Sequence, residues 1–275
     1  MRRALVFHAA FFAGAVILAG SPASAAQPLI PHRAVYDLNL GDASDRSDIA
    51  AITGRMVYEF NGSTCDGYTV SFRFVTQIDT NENTRLTDQQ TTTYENPKGT
   101  EFSFATKSFV DQALDREVRG TATVKGGHTL VQLKKPAEDD LELAPTLFPT
   151  QHMLDLIAKA RKGETFYEAN IFDGSDDANE VLTTTVLIGH KAEKVSDNAE
   201  LKVMGDMKPQ AYWPVSIAYF KLNGEGGEEL PIYRIDFKLY ENGITRDLVM
   251  DYGEFSMTGQ LVDLAVLEPA DGCGE

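Results

Sequence analysis

A chain of 275 residues with 43% hydrophobic and 24% charged side chains has the composition of a folded globular protein, which excludes a disordered one. Its formal charge of −16 repels polyanions at long range and excludes nucleic acid as a partner.

The N-terminus reads as a secretory signal peptide. Arg2 and Arg3 supply the basic start, residues 4–18 an apolar run, and Ala23-Ser24-Ala25 the small-residue pattern that precedes cleavage before Ala26. An uncleaved membrane anchor is the alternative reading; no cysteine stands at the cleavage point, so Cys65 and Cys273 are not expected as lipidation sites of the bacterial lipoprotein kind. The expected organisation is a leader over 1–25 and one exported domain over 26–275, with no second run long and apolar enough to span a membrane.

The exported part is dominated by alternation of period two. Strand patterns run over 32–40, 50–60, 67–78, 84–95, 100–110, 114–124, 128–134, 164–172, 180–190, 211–222, 233–239, 244–252 and 255–267. In the third of these, Tyr68, Val70, Phe72, Phe74 and Ile78 share one face and Thr69, Ser71, Arg73 and Gln77 the other. Turn signals separate the runs. Asn61-Gly62 and Gly126-Gly127 punctuate strands, and Asn242-Gly243 predicts a two-residue hairpin turn with positive φ at both positions. One segment breaks the rhythm. FPTQHMLDLIAKARKGE predicts an amphipathic helix of about three turns, N-capped by Thr150 and stopped by Gly163. Strand after strand with a single main helix argues for a large, curved antiparallel sheet.

Two cysteines remain after export, Cys65 and Cys273. In an oxidising compartment a disulfide is the simplest reading; two free thiols or a reactive thiol are the alternatives. Two isolated thiols lack the paired spacing of a zinc site, so no metal is expected there. The exported histidines (His32, His128, His152 and His190) form no metal-binding pair at helical spacing. Nucleophile elbows, phosphate loops and dinucleotide fingerprints are absent, so neither an enzyme nor a cofactor is expected. FDGSDDANE, residues 172–180, reads as a solvated acidic turn whose spacing does not fit a calcium loop. The aromatic residues Phe102, Phe104, Trp213 and Tyr219 read first as sheet core and, alternatively, as an apolar groove for an acyl chain.

GRMVYEFNGSTCDGYTVSFRFVTQI, FPTQHMLDLIAKARKGE, FDGSDD, YWPVSIAYF and LYENGITRDLVMDYGEF together resemble the EipB-like family of cell-envelope integrity proteins of the alphaproteobacterial periplasm. The resemblance covers nearly all of 28–275. It implies a mainly β fold: a long antiparallel β-spiral, open and barrel-like, around one main α-helix, similar in outline to periplasmic lipoprotein carriers. It also implies an intramolecular disulfide that maps onto Cys65 and Cys273. The expected function is a non-enzymatic periplasmic protein that supports envelope integrity by binding a lipid, a lipoprotein or a periplasmic protein partner. An envelope hydrolase acting on glycan or lipid, or a pure docking scaffold, are the alternatives.

Overall fold

The computed structural model describes residues 29–175, 177–192, 199–205, 211–221 and 230–268. The expected leader and Cys273 lie outside the described residues. The chain order begins with eight strands: β1 (His32–Ala43), β2 (Ile49–Ser63), β3 (Gly67–Thr80), β4 (Thr84–Glu95), β5 (Glu101–Val110), β6 (Ala113–Lys125), β7 (His128–Lys135) and β8 (Asp139–Leu143). Helix α1 (Pro149–Lys162), β9 (Phe166–Ile171), β10 (Leu182–Ile188) and the short helix α2 (Ala199–Val203) follow. The chain returns through β11 (Trp213–Lys221), β12 (Tyr233–Leu239), β13 (Thr245–Asp251) and β14 (Phe255–Val266).

All the strands belong to one antiparallel sheet, ordered β8-β7-β6-β5-β4-β3-β2-β1-β14-β13-β12-β11-β10-β9. It consists of two meanders fused where the first strand meets the last, Ala34 opposite Leu264 and Leu38 opposite Gly259. The terminal strands β8 and β9 do not pair with each other, so the sheet coils into an open spiral rather than a closed barrel. The period-two alternation explains why it coils inward. Tyr36, Leu38, Met56, Phe60, Tyr68, Val215, Ile217, Leu248 and Leu261 all turn to one face and form a single core with Leu156, Ile157 and Ala160 of α1.

A second cluster forms where the coil overlaps itself. The chain leaving β9 brings Phe172 edge-on to Phe104 (5.6 Å), and Phe148 stacks on Phe102 (5.0 Å). The acidic turn after Phe172 is therefore more than a solvated loop. Gly174, at φ 69°, lies so close that a Cβ there would stand 2.6 Å from the Phe104 ring.

Three local expectations need correction. Helix α1 starts at Pro149 with Phe148 as N-cap, not Thr150. Its first amides are answered from another strand, because Glu95 accepts hydrogen bonds from Thr150 N (2.8 Å) and Gln151 N (2.9 Å). The hairpin at Asn242-Gly243 is a three-residue loop. Gly243 N donates to Tyr240 O (3.0 Å), Tyr240 N donates to Ile244 O (2.9 Å), and only Gly243 (φ 88°) takes positive φ. Finally, Asn61-Gly62 does not turn the chain. β2 runs through it to Ser63, and Cys65 sits in the turn itself, where its amide donates to Ser63 Oγ (3.2 Å).

Candidate functional site

The two ends of the coil are built from different chemistry. At one end lie the strand termini that carry Phe60, Glu95, Trp213 and Tyr240, and α1 lies across them. Glu95, 2% exposed, binds its N-terminus. Arg161 near its C-terminus donates to Glu241 (2.7 Å) in the β12–β13 turn. The helix stops at Gly163 (φ 78°), whose amide answers Ala160 O (3.0 Å), with Lys159, Arg161 and Lys162 in the last turn to complement the dipole. Burial pushes the Glu95 carboxyl up, and the amides of Thr150 and Gln151 pull against it.

The same end holds a buried polar cluster. Glu200 of α2 accepts from Asp247 N (3.1 Å), Leu261 N (2.8 Å) and Arg246 Nη1 (3.3 Å). Arg246 Nε in turn donates to Tyr240 Oη (2.6 Å). The β13–β14 ladder begins only at Leu248 opposite Gly259, so this carboxylate stands where the two strands have parted and serves the amides of both. His152 in the first turn of α1 is buried with Nε2 3.4 Å from Thr184 Oγ1. Burial pushes it down to about 4 against the opposing pull of Asp155, so it sits neutral in the core.

The other end of the inner face is lined by rings that stay partly exposed. Tyr219 of β11 lies opposite Tyr233 of β12 at 5.4 Å, Tyr233 lies 5.0 Å from Tyr252, and Tyr252 lies 5.0 Å from Phe255. Elsewhere on the inner face, Phe72 and Phe74 (5.9 Å apart) and Ile78 of β3 pack partly buried against the core. Further round, the inner face turns polar, with hydroxyl pairs Thr76–Thr87 (2.7 Å) and Thr91–Thr106 (3.0 Å). Burial pushes the Tyr252 hydroxyl up to about 12 and those of Tyr219 and Tyr233 higher, so all three remain neutral donors at physiological pH.

The four aromatic residues named from the sequence are therefore dispersed. Phe102 and Phe104 fill the overlap cluster, Trp213 is buried at the closed end, and Tyr219 begins the open aromatic row. Trp213 forms the floor of a cavity of about 510 Å³, over which Lys191 sits 4.7 Å from the indole while also reaching Glu241 (3.5 Å). Sequence reasoning missed Glu95, Glu200 and Tyr233. Alternation over 233–239 puts Tyr233 on one face with Ile235, Phe237 and Leu239, but it does not show that its end of the coil stays uncovered.

Among the described residues there is no free cysteine thiol, no group of three or more His, Cys, Asp or Glu placed to hold a metal, and no helix long and apolar enough to cross a membrane. The expected pairing of Cys65 falls on Cys273, outside the described residues.

Known proteins share this architecture. The EipB-like family model matches residues 23–268. A cell envelope integrity protein, EipB of Brucella abortus, is 53% identical over 266 residues, spanning 96% of this chain and 92% of the relative. The crystal structure of a β-barrel-like protein from Brucella abortus superimposes with a TM-score of 0.85 at 52% identity, covering 88% of this chain and 100% of that one. A match over nearly the full length, with the same coil, leaves one conclusion: the chain belongs to the EipB-like family of periplasmic cell-envelope integrity proteins.

Proposed function

We propose that the protein supports envelope integrity without catalysing a reaction, by holding an acyl chain of a lipid or lipoprotein in the open end of the coil. The observation that carries this reading is the row Tyr219–Tyr233–Tyr252–Phe255, apolar surface left partly exposed inside a concave sheet. Binding sites for apolar ligands are concave, ring-lined and furnished with a few polar groups, and here the tyrosine hydroxyls are donors suited to an ester or amide carbonyl. Tyr219 is the residue of the sequence-derived groove that belongs to this surface.

The test is uptake of a fluorescent fatty acid, together with native mass spectrometry of protein purified from its own periplasm. Saturable uptake that is lost in Tyr233→Asp supports the reading. No uptake and no co-purifying acyl species would sink it.

Removal of residues 1–25 on export and a Cys65–Cys273 bridge complete the proposal. Val266 of β14 and Phe60 of β2 both pair with His32, so the exit of β14 lies two strand spacings, about 10 Å, from the Cys65 end of the sheet. Cys273 lies five residues beyond Glu268, and an extended chain of that length reaches about 17 Å.

A further inference from the structure

The two bare edges of the sheet differ in chemistry. Along β8, Asp139, Asp140 and Glu142 follow Glu138, all exposed, and a strand so charged rejects another strand. β9 is the reverse. Phe166 is 55% exposed, and directly across from it Leu187 is also 55% exposed.

Ile188 N donates to Thr165 O (2.9 Å), which fixes the parity of the β9–β10 ladder. Tyr167 and Ala169 then turn their backbone toward β10, while Phe166 and Glu168 turn theirs outward. The chain already uses this outward side once. Leu147 donates to Asn170 O (2.8 Å) and accepts from Phe172 N (3.0 Å), forming a parallel bridge opposite Ile171. Ahead of that bridge, the amides and carbonyls of Phe166 and Glu168 have no hydrogen-bond partner among the described residues. On the outer face, Leu187 leads into a groove of about 370 Å³ lined by Pro214, Asp236, Phe237 and the paired Lys238 and Asp247.

We propose that the β9 edge docks an extended, basic segment of a partner protein. The segment adds as a strand outside β9 and rests an apolar side chain on Phe166 and Leu187. Charge selects the basic partner. Glu164 at the edge already pairs with Lys159 (3.2 Å), but Glu168, on the same outer face as Phe166, has no ion-pair partner among the described residues, and the chain as a whole carries −16. The site is separate from the acyl trough and does not depend on it.

A fluorescent octapeptide of alternating lysine and valine is the probe, titrated against the full chain by anisotropy. The same peptide with glutamate in place of lysine is the comparison. Binding should be saturable and weaken at least about tenfold for the glutamate peptide, for Phe166→Asp and for Glu168→Pro, which deletes one outward amide. Asp140→Asn on the opposite edge should leave affinity within about twofold, a surface change away from the site. Hydrogen exchange should slow at the Phe166 and Glu168 amides when the lysine peptide binds, and thermal melts confirm that each variant is folded. Unchanged binding to folded Phe166→Asp, or protection along β8 instead of β9, overturns the proposal. So does protection of β9 that grows with protein concentration and needs no peptide, because the edge then serves a second copy of the chain.

Discussion

The closed and open ends of the coil use opposite materials. The closed end is secured by ionisable groups taken out of water: Glu95 on the helix start, Glu200 with Arg246 in the parted seam, and His152 against Thr184. The open end is lined by rings, and its nearest ion pairs, such as Arg234 with Asp251 (2.8 Å), lie half-exposed on the outer face. Buried charges are costly and specific, so they fix a geometry; partly exposed rings are non-directional, so they can accept a guest. One end holds the shape and the other leaves surface to use.

Breaking the closed end should cost most. Glu200→Ala takes one of two carboxylates from the buried Arg246 guanidinium, which keeps Asp247 and Tyr240, and leaves the amides of Asp247 and Leu261 unanswered, a loss of about 3–5 kcal/mol by chemical denaturation. If the proposed bridge exists, Cys65→Ser and Cys273→Ser each lose about 2–4 kcal/mol in oxidising buffer, and the double variant loses no more than either. Clearly additive losses would refute the bridge.

His152 predicts a pH dependence. The unfolded chain takes up a proton near 6.5, whereas the folded chain resists until about 4. Stability on this account is therefore complete above 6.5 and lost as pH falls toward 4, by roughly 3 kcal/mol across that window. His152→Gln should flatten this part of the profile. Glu95→Gln keeps the shape but weakens the acceptor, costing about 1–2 kcal/mol. The smallest change should be Tyr167→Phe. The Tyr167 hydroxyl is the one buried side-chain polar atom without a hydrogen-bond partner among the described residues, so its removal should leave stability within about 1 kcal/mol or raise it.

Much of the sheet was legible because alternation is local: Tyr68, Val70, Phe72, Phe74 and Ile78 share the inner face as their spacing requires. The helix was legible in length and stop, since Gly163 is the left-handed cap its position demanded. Its start was not, because the group that caps it is 55 residues away in sequence. β8 and α2 were missed for related reasons. β8 is short and acidic, and α2 is a five-residue helix whose stability comes from the bonds of Glu200 rather than from propensity. The dispersal of Phe102, Phe104, Trp213 and Tyr219 depends on how the coil closes on itself, which pairwise spacing does not encode.

The seam between β1 and β14 has a consequence for biogenesis. β1 is among the first strands to emerge from the export channel, yet one of its two partners is the last. Until β14 arrives, one side of the first meander stays unpaired, exposed to other chains during translocation. Contacts of such sequence separation form late and slowly. A C-terminal truncation before Phe255 would thus do more than shorten the protein: it would leave two half-sheets, each with an unfinished edge at its centre.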